Sequence, residues 1–181
     1  MRVVVAAVIE RSDRRLLIGQ RRRNDTSPLK WEFPGGKVEQ GETPEAALAR
    51  ELKEELGATL KKSVPIGRVV HQYASTPEEL EILFYAAEIS ETEVAANSFE
   101  NIAWVLPKEL GKYEFLAANA QLVANLATGR IKPGEILNDC GCRGQPVPCD
   151  LILDWALTLT RRARSIVAPQ IPWGRSGNDR V

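Results

Sequence analysis

Histidine is nearly absent from this chain: His71 is the one residue of its kind in 181. That excludes a metal or proton-transfer centre built from several imidazoles. No Ser/His/Asp triad assembles around a histidine inside the strand-like run SVPIGRVVHQYA (63–74), so His71 reads as structural. Cysteine is also scarce. Cys140, Cys142 and Cys149 are odd in number and fall within ten residues, unlike the framework of a small secreted domain. Their spacing is not that of a paired zinc site, which would need a fourth ligand from elsewhere, and free thiols are the plainer reading. An excess of charge is missing too. Lys plus Arg equal Asp plus Glu at 24 each, leaving no surplus to hold nucleic acid or a membrane surface. Finally, no apolar run is long enough to span a bilayer. The opening MRVVVAAVIERSDRR lacks a small-residue cleavage site, so no signal peptide is read. A cytoplasmic protein without membrane or stable nucleic-acid partners, monomeric or homodimeric, is expected.

What remains is β-rich runs interleaved with two helical patterns. VVVAAVI (3–9), RRLLIGQRR (14–22), the pair 63–74 and ELEILFYAAEI (79–89) around STPE, and IAWVL (102–106) read as strands. FLAANAQLVANLATG (115–129) reads as a helix ended by Gly129. The pattern predicts an α/β or α+β sandwich. After residue 130 the composition changes. Residues 136–149 read as irregular, 150–167 as a helix carrying RRAR near its end, and 168–181 as a tail. A domain over 1–130 with a C-terminal extension over 131–181 follows.

The clearest helix lies at 44–56. Thr43 suits the N-cap, Pro44 the first position, Glu45 the positive end of the dipole, and Gly57 the stop. Leu48, Ala49, Leu52 and Leu56 form the expected core stripe. Glu51, Glu54 and Glu55 share another arc at neighbour spacing, with Ala47 among them, near the negative end of the dipole. Acids concentrated there cost stability unless a cation, a metal or solvent resolves them. The preceding PGGKVEQGE supplies glycines for close backbone approach, with Lys37 and Glu42 alongside. An all-oxygen donor set with no imidazole suits Mg²⁺ or Mn²⁺, whose remaining ligands are commonly waters and phosphates.

Gly36, five residues, Glu42, seven residues, Arg50-Glu51-Leu52, one residue, Glu54-Glu55, one residue, Gly57-Ala58: this gapless pattern resembles the Nudix box at every fixed position. The wider WEFPGGKVEQGETPEAALARELKEELG resembles the MutT-like branch, the 8-oxo-dGTP diphosphatases, over roughly residues 1–130. The resemblance implies a Nudix fold, an α/β/α sandwich with a mixed sheet, here followed by a helical extension. It implies metal-dependent hydrolysis of a nucleoside triphosphate to monophosphate and pyrophosphate.

Carried onto this chain, it makes Glu51, Glu54 and Glu55 metal ligands, with a carbonyl of Gly35 or Gly36, and Glu54 the most sensitive carboxylate. Arg50 would orient Glu54, Glu42 would brace the loop, and Lys37 would meet phosphate. Arg21 would contact the nucleotide, Phe33 would pack on the base, and Asn119 would read it. One position departs from the pattern. Where many members carry a further glutamate, six residues before the tryptophan matching Trp104, this chain has Ser98, with Glu100 two residues later as the candidate replacement. A CTP or methylated dCTP pyrophosphohydrolase is the alternative substrate reading, with ADP-ribose less favoured. A nucleotide-sensing Nudix module is the alternative from another class, against which the intact glutamates argue.

Overall fold

The computed structural model describes residues 2–72, 79–90 and 94–139. The expected helix at 150–167, the tail at 168–181, the three cysteines and the STPE turn lie outside those residues.

Strand β1 (Arg2–Ile9) is the spine. It pairs in parallel with β6 (Glu79–Ile89) and antiparallel with β4 (Gly35–Lys37), and β5 (Leu60–Gln72) flanks β6, giving a mixed sheet ordered β4-β1-β6-β5. A second, antiparallel sheet sets β2 (Leu16–Gln20) between β3 (Trp31–Glu32) and β7 (Asn101–Val105). The near-continuous apolar run of β1 has a simple cause: both of its faces are covered. Val5, Ala7 and Ile9 pack with Leu48, Leu52 and Leu56 of α1 (Pro44–Leu56). Ala6 and Val8 face the other way, onto Leu122 and Leu126 of α2 (Ala120–Ala127). Helix, sheet and helix form the expected layers.

Helix α1 begins and ends as its sequence predicts. The Thr43 hydroxyl accepts from the Ala46 N–H at 3.2 Å, and Gly57, at φ 69°, donates to the carbonyls of Leu52 and Lys53. Its next carbonyls are also satisfied: Asn97 donates to Glu55 through its backbone and to Glu54 through its amide, and Ala95 N–H donates to Leu56. One part of the stripe differs. Ala47 is fully buried with Val5 and Ala7, while Ala49 is half-buried, because α1 closes on β1 and β4 through the arc that carries the acids.

Two further segments depart from expectation. The 115–129 helix starts late: Phe115 forms a bridge to Trp31, one 3₁₀ turn spans Ala117–Asn119, and the α-helix begins at Ala120. Residues 136–139 are not irregular but belong to α3 (Pro133–Asp139), which packs Leu137 on Val64 of β5 and Ala86 of β6. The Glu10 carboxylate accepts from Gly134 N–H at 2.9 Å at one end of α3, and Lys62 donates to the Leu137 carbonyl at the other. Packed structure thus continues past residue 130.

Candidate active site

Arg50 is the cation that resolves the crowded acids. Its Nε and Nη2 donate to the two oxygens of Glu42, each at 3.0 Å, and Nη1 donates to Glu51 at 3.0 Å. Nη2 also reaches the Lys37 carbonyl at 2.9 Å, so one guanidinium ties the loop to the helix. This forked pairing holds the Glu42 carboxyl below the usual carboxylate range, and Glu42 in turn raises Arg50 further. Glu54 lies 3.5 Å from Nη1, the longest contact of the set, because the fork onto Glu42 fixes the guanidinium plane. Arg50 thus clamps Glu42 and Glu51 more closely than the expected Glu54.

The three glutamates differ in exposure as well. The Glu54 side chain is 60% exposed and that of Glu51 15%. Glu55 is half-buried, and its Oε2 accepts from Gly35 N–H at 2.9 Å. Burial pushes the Glu55 carboxyl up to about 8, with Glu32 and Glu51 adding to the shift and the Gly35 N–H opposing it.

Both glycines of β4 are there for closeness. A Cβ on Gly36 would lie 2.2 Å from the Glu51 carboxyl, and one on Gly35, at φ 148°, would lie 2.1 Å from the Val5 carbonyl oxygen. Bonds from Ala7 N–H to Pro34 and from Val38 N–H to Val3 bracket the pairing of Val5 with Gly36. Antiparallel alternation then turns the N–H and C=O of Gly35 away from β1, toward α1. Among the described residues no three His, Cys, Asp or Glu side chains stand gathered at metal-ligand geometry. Glu51 is turned to Arg50 and Glu55 to Gly35. The donor set is nevertheless all oxygen, with a backbone carbonyl beside carboxylates in a cradle that any side chain at 36 would fill, and it fits a hard divalent ion.

Two hollows meet at this point. An open acidic groove is lined by residues 35–40 with Arg50, Glu51, Glu54 and Glu55. A deeper cleft of about 490 Å³ shares Gly35, Gly36, Lys37 and Glu55 with it and extends past Glu32, Phe33, Ser98 and Asn119. Lys37 is exposed where the hollows join. Phe33 is buried, its ring 5.4 Å from that of Phe115. Asn119 is only 5% exposed yet lines the cleft, and its side chain caps no helix.

Two candidates sit differently from expectation. Arg21, just after β2, lines the cleft, but its guanidinium is engaged by Thr26, Asp25 and Glu32. Glu100 is not brought to either hollow. Its N–H bonds Gln20 and its carboxylate pairs with Arg23 at 3.0 Å, while Phe99 beside it is buried against Gly19. It is Ser98 that reaches the cleft.

Sequence reasoning missed Glu32. Burial raises its carboxyl, with Arg21 opposing and Asp25 adding to the shift. The signal was present in WEF, a lone acid between aromatics on a two-residue strand.

The NUDIX domain family matches residues 1–126. The chain belongs to the Nudix family. It is 33% identical over 141 residues to the CTP pyrophosphohydrolase of Escherichia coli K12, covering 73% of this chain and 96% of that one. It is 32% identical to an 8-oxo-dGTP diphosphatase of Haemophilus influenzae, covering 68% and 89%. Among solved structures, a MutT Nudix hydrolase from Burkholderia pseudomallei superposes with a TM-score of 0.59 at 28% identity, covering 68% and 95%. The protein is therefore a Nudix hydrolase with MutT-like relatives, a pyrophosphohydrolase acting on nucleotides. Nudix hydrolases generally use divalent metals, and no helix among the described residues is long and apolar enough to cross a membrane.

Proposed function

We propose that this Nudix hydrolase cleaves nucleoside triphosphates with water to give monophosphate, pyrophosphate and a proton, acting on oxidised nucleotides such as 8-oxo-dGTP. The supporting observation is Asn119: a buried amide that caps nothing, in a cleft continuous with the acidic groove. Guanine offers two acceptors, O6 and N7, on its major-groove edge. In 8-oxoguanine N7 carries a proton, so that edge becomes acceptor plus donor, matching the donor and acceptor of one amide. Unmodified guanine would set a lone pair against the amide oxygen, and a buried polar site rejects such a mismatch strongly. Phe33, which lines the same cleft as Asn119, supplies an apolar surface for the base.

Glu51, Glu54, Glu55 and the Gly35 carbonyl would hold Mg²⁺ or Mn²⁺ in the groove. Bound there, such an ion neutralises phosphate charge and lowers the pKa of its water. Arg50 keeps Glu51 in place and, with Glu42, fixes the loop. Lys37, at the junction of the two hollows, meets the phosphates, and Glu54, the most exposed of the three helix glutamates, would turn toward the ion. CTP is the second reading, favoured by the similarity to the E. coli CTP pyrophosphohydrolase.

The test compares kcat/KM for 8-oxo-dGTP and dGTP in the parent and in Asn119→Ala. The preference should shrink at least about tenfold, mainly through loss of the oxidised substrate. An unchanged ratio removes Asn119 from the site.

A further inference from the structure

Strand register lays the floor of the cleft. Alternation along β1 sends Val5 and Ala7 toward α1 and turns Ala6 and Val4 onto the cleft face, and Arg2 falls in step with these two. Cross-strand partners share a face. Ala6 lies opposite Gly35, Val4 sits between Lys37 of β4 and Ile82 of β6, and Arg2 sits beside Leu80. Val4, Ala6, Leu80 and Ile82 thus give the cleft an apolar floor, and Arg2 closes the row. At roughly 3.3 Å per residue, Arg2 stands about 13 Å along β1 from Ala6, the register partner of Gly35. Lys37 lines both hollows, whereas Arg2, exposed at the far end, lines the cleft alone.

We propose that Arg2 is a specificity-determining residue that donates a hydrogen bond to a carbonyl oxygen of the bound base. This rests on the nucleotide reading above. The phosphates belong at the acidic groove, where Lys37 and the glutamates stand, so the apolar floor receives the flat base. Arg2 borders that floor and therefore meets the base rather than the phosphates. A guanidinium offers five N–H donors on a planar fork and no acceptor, so it answers base acceptors only. Asn119 takes up O6 and the N7 proton of 8-oxoguanine, which leaves the C8 carbonyl. Cytosine carries a C2 carbonyl. Both oxygens present the same chemistry to a guanidinium.

The experiment measures binding to the full chain by calorimetry with Mg²⁺ present. The probes with a base are 8-oxo-dGMP and CMP; deoxyribose 5-phosphate and pyrophosphate supply the anions without one. Arg2→Met keeps a long stem and removes every side-chain donor. In it the nucleotide that the parent binds should lose affinity about 10- to 100-fold, while both base-free anions change less than about threefold. The 8-thio and 2-thio analogues of the two nucleotides put sulfur, a weak acceptor, in place of the carbonyl oxygen. The parent should prefer oxygen over sulfur by about tenfold or more, and Arg2→Met should erase that preference. Thermal unfolding reports whether the variant folds; if it does not, Arg2→Lys, which loses the fork, carries the same expectation. Equal losses for all probes would make Arg2 a phosphate contact, and unchanged affinities or a surviving oxygen preference would place it away from the base. Each of these overturns the proposal. A parent that binds the nucleotides through Arg2 but turns over no triphosphate overturns the proposed function alone, and one that binds neither nucleotide overturns both.

Discussion

Replacing Glu54 by Gln removes one negative charge from a side chain that is 60% exposed and keeps its shape. Because it sits in no packed contact, stability should change by less than about 0.5 kcal/mol, or rise slightly as like charges separate. Turnover under Mg²⁺ should fall at least about a hundredfold; near-normal turnover would remove Glu54 from the metal site. Glu55 makes a different prediction, one of pH. Its carboxyl is pushed up to about 8 from 4.5, chiefly by burial, so the metal-free folded chain holds a proton that the unfolded chain releases at lower pH. The stability this proton contributes is fully present below about 4.5 and is lost as pH rises through 8. Glu55→Gln, which never ionises, should match the parent near pH 5 in EDTA. It should exceed the parent near pH 9 by on the order of 1–3 kcal/mol. A melting difference that does not depend on pH would contradict this account of the Glu55 environment.

At the scale of elements, the contact of β4 with α1 makes the site, and its two glycines separate fold from function. In Gly35→Ala the new methyl meets backbone, the Val5 carbonyl, at a positive φ, and neither can yield cheaply. In Gly36→Ala it meets the far end of the Glu51 side chain, which can swing away and leave Arg50. Gly35→Ala should therefore lower the unfolding midpoint by the larger amount, roughly 2 kcal/mol or more. Gly36→Ala should stay folded and lose activity. The reverse order in thermal unfolding would refute this division of labour. Helix α1 was legible in the sequence because its caps, stripe and acids are all local signals. Ala47 was not, since its burial depends on Gly35 and Gly36, twelve and eleven residues upstream, letting the helix approach. Arg21 was legible as a residue of the cleft but not in its role, because Thr26 and Asp25 fold back on it through a loop that strand periodicity does not describe. Ser98 and Glu100 stand two residues apart in the sequence, and partners far along the chain decide between them: Gln20 and Arg23 hold Glu100 away from the cleft that Ser98 lines.

For the whole molecule, α3 was invisible to sequence reasoning for a related reason. It is seven residues long, and what holds it comes from far along the chain: Glu10, Lys62, Val64 and Ala86. A chain ended at Gly129 should therefore be about 2–4 kcal/mol less stable than one ended at Asp139. It loses the burial of Leu137 and leaves Glu10, already paired with Arg14, without the Gly134 N–H. Equal melting of the two chains would show that α3 contributes nothing to the body. None of its residues lines either hollow, so bond cleavage should survive in whatever fraction of the shorter chain is folded. The layers themselves were readable, since a β1 strand apolar on both faces requires cover on both sides.

The proposed activity breaks one bond, between the α- and β-phosphorus groups of the nucleotide. Product identification by phosphorus NMR or ion-exchange chromatography, on 8-oxo-dGTP, dGTP and CTP with Mg²⁺, shows which bond breaks. Monophosphate and pyrophosphate should form in equal amounts, with 8-oxo-dGTP consumed fastest and all turnover abolished by EDTA. Diphosphate with inorganic phosphate, or undiminished turnover in EDTA, would refute the proposed function.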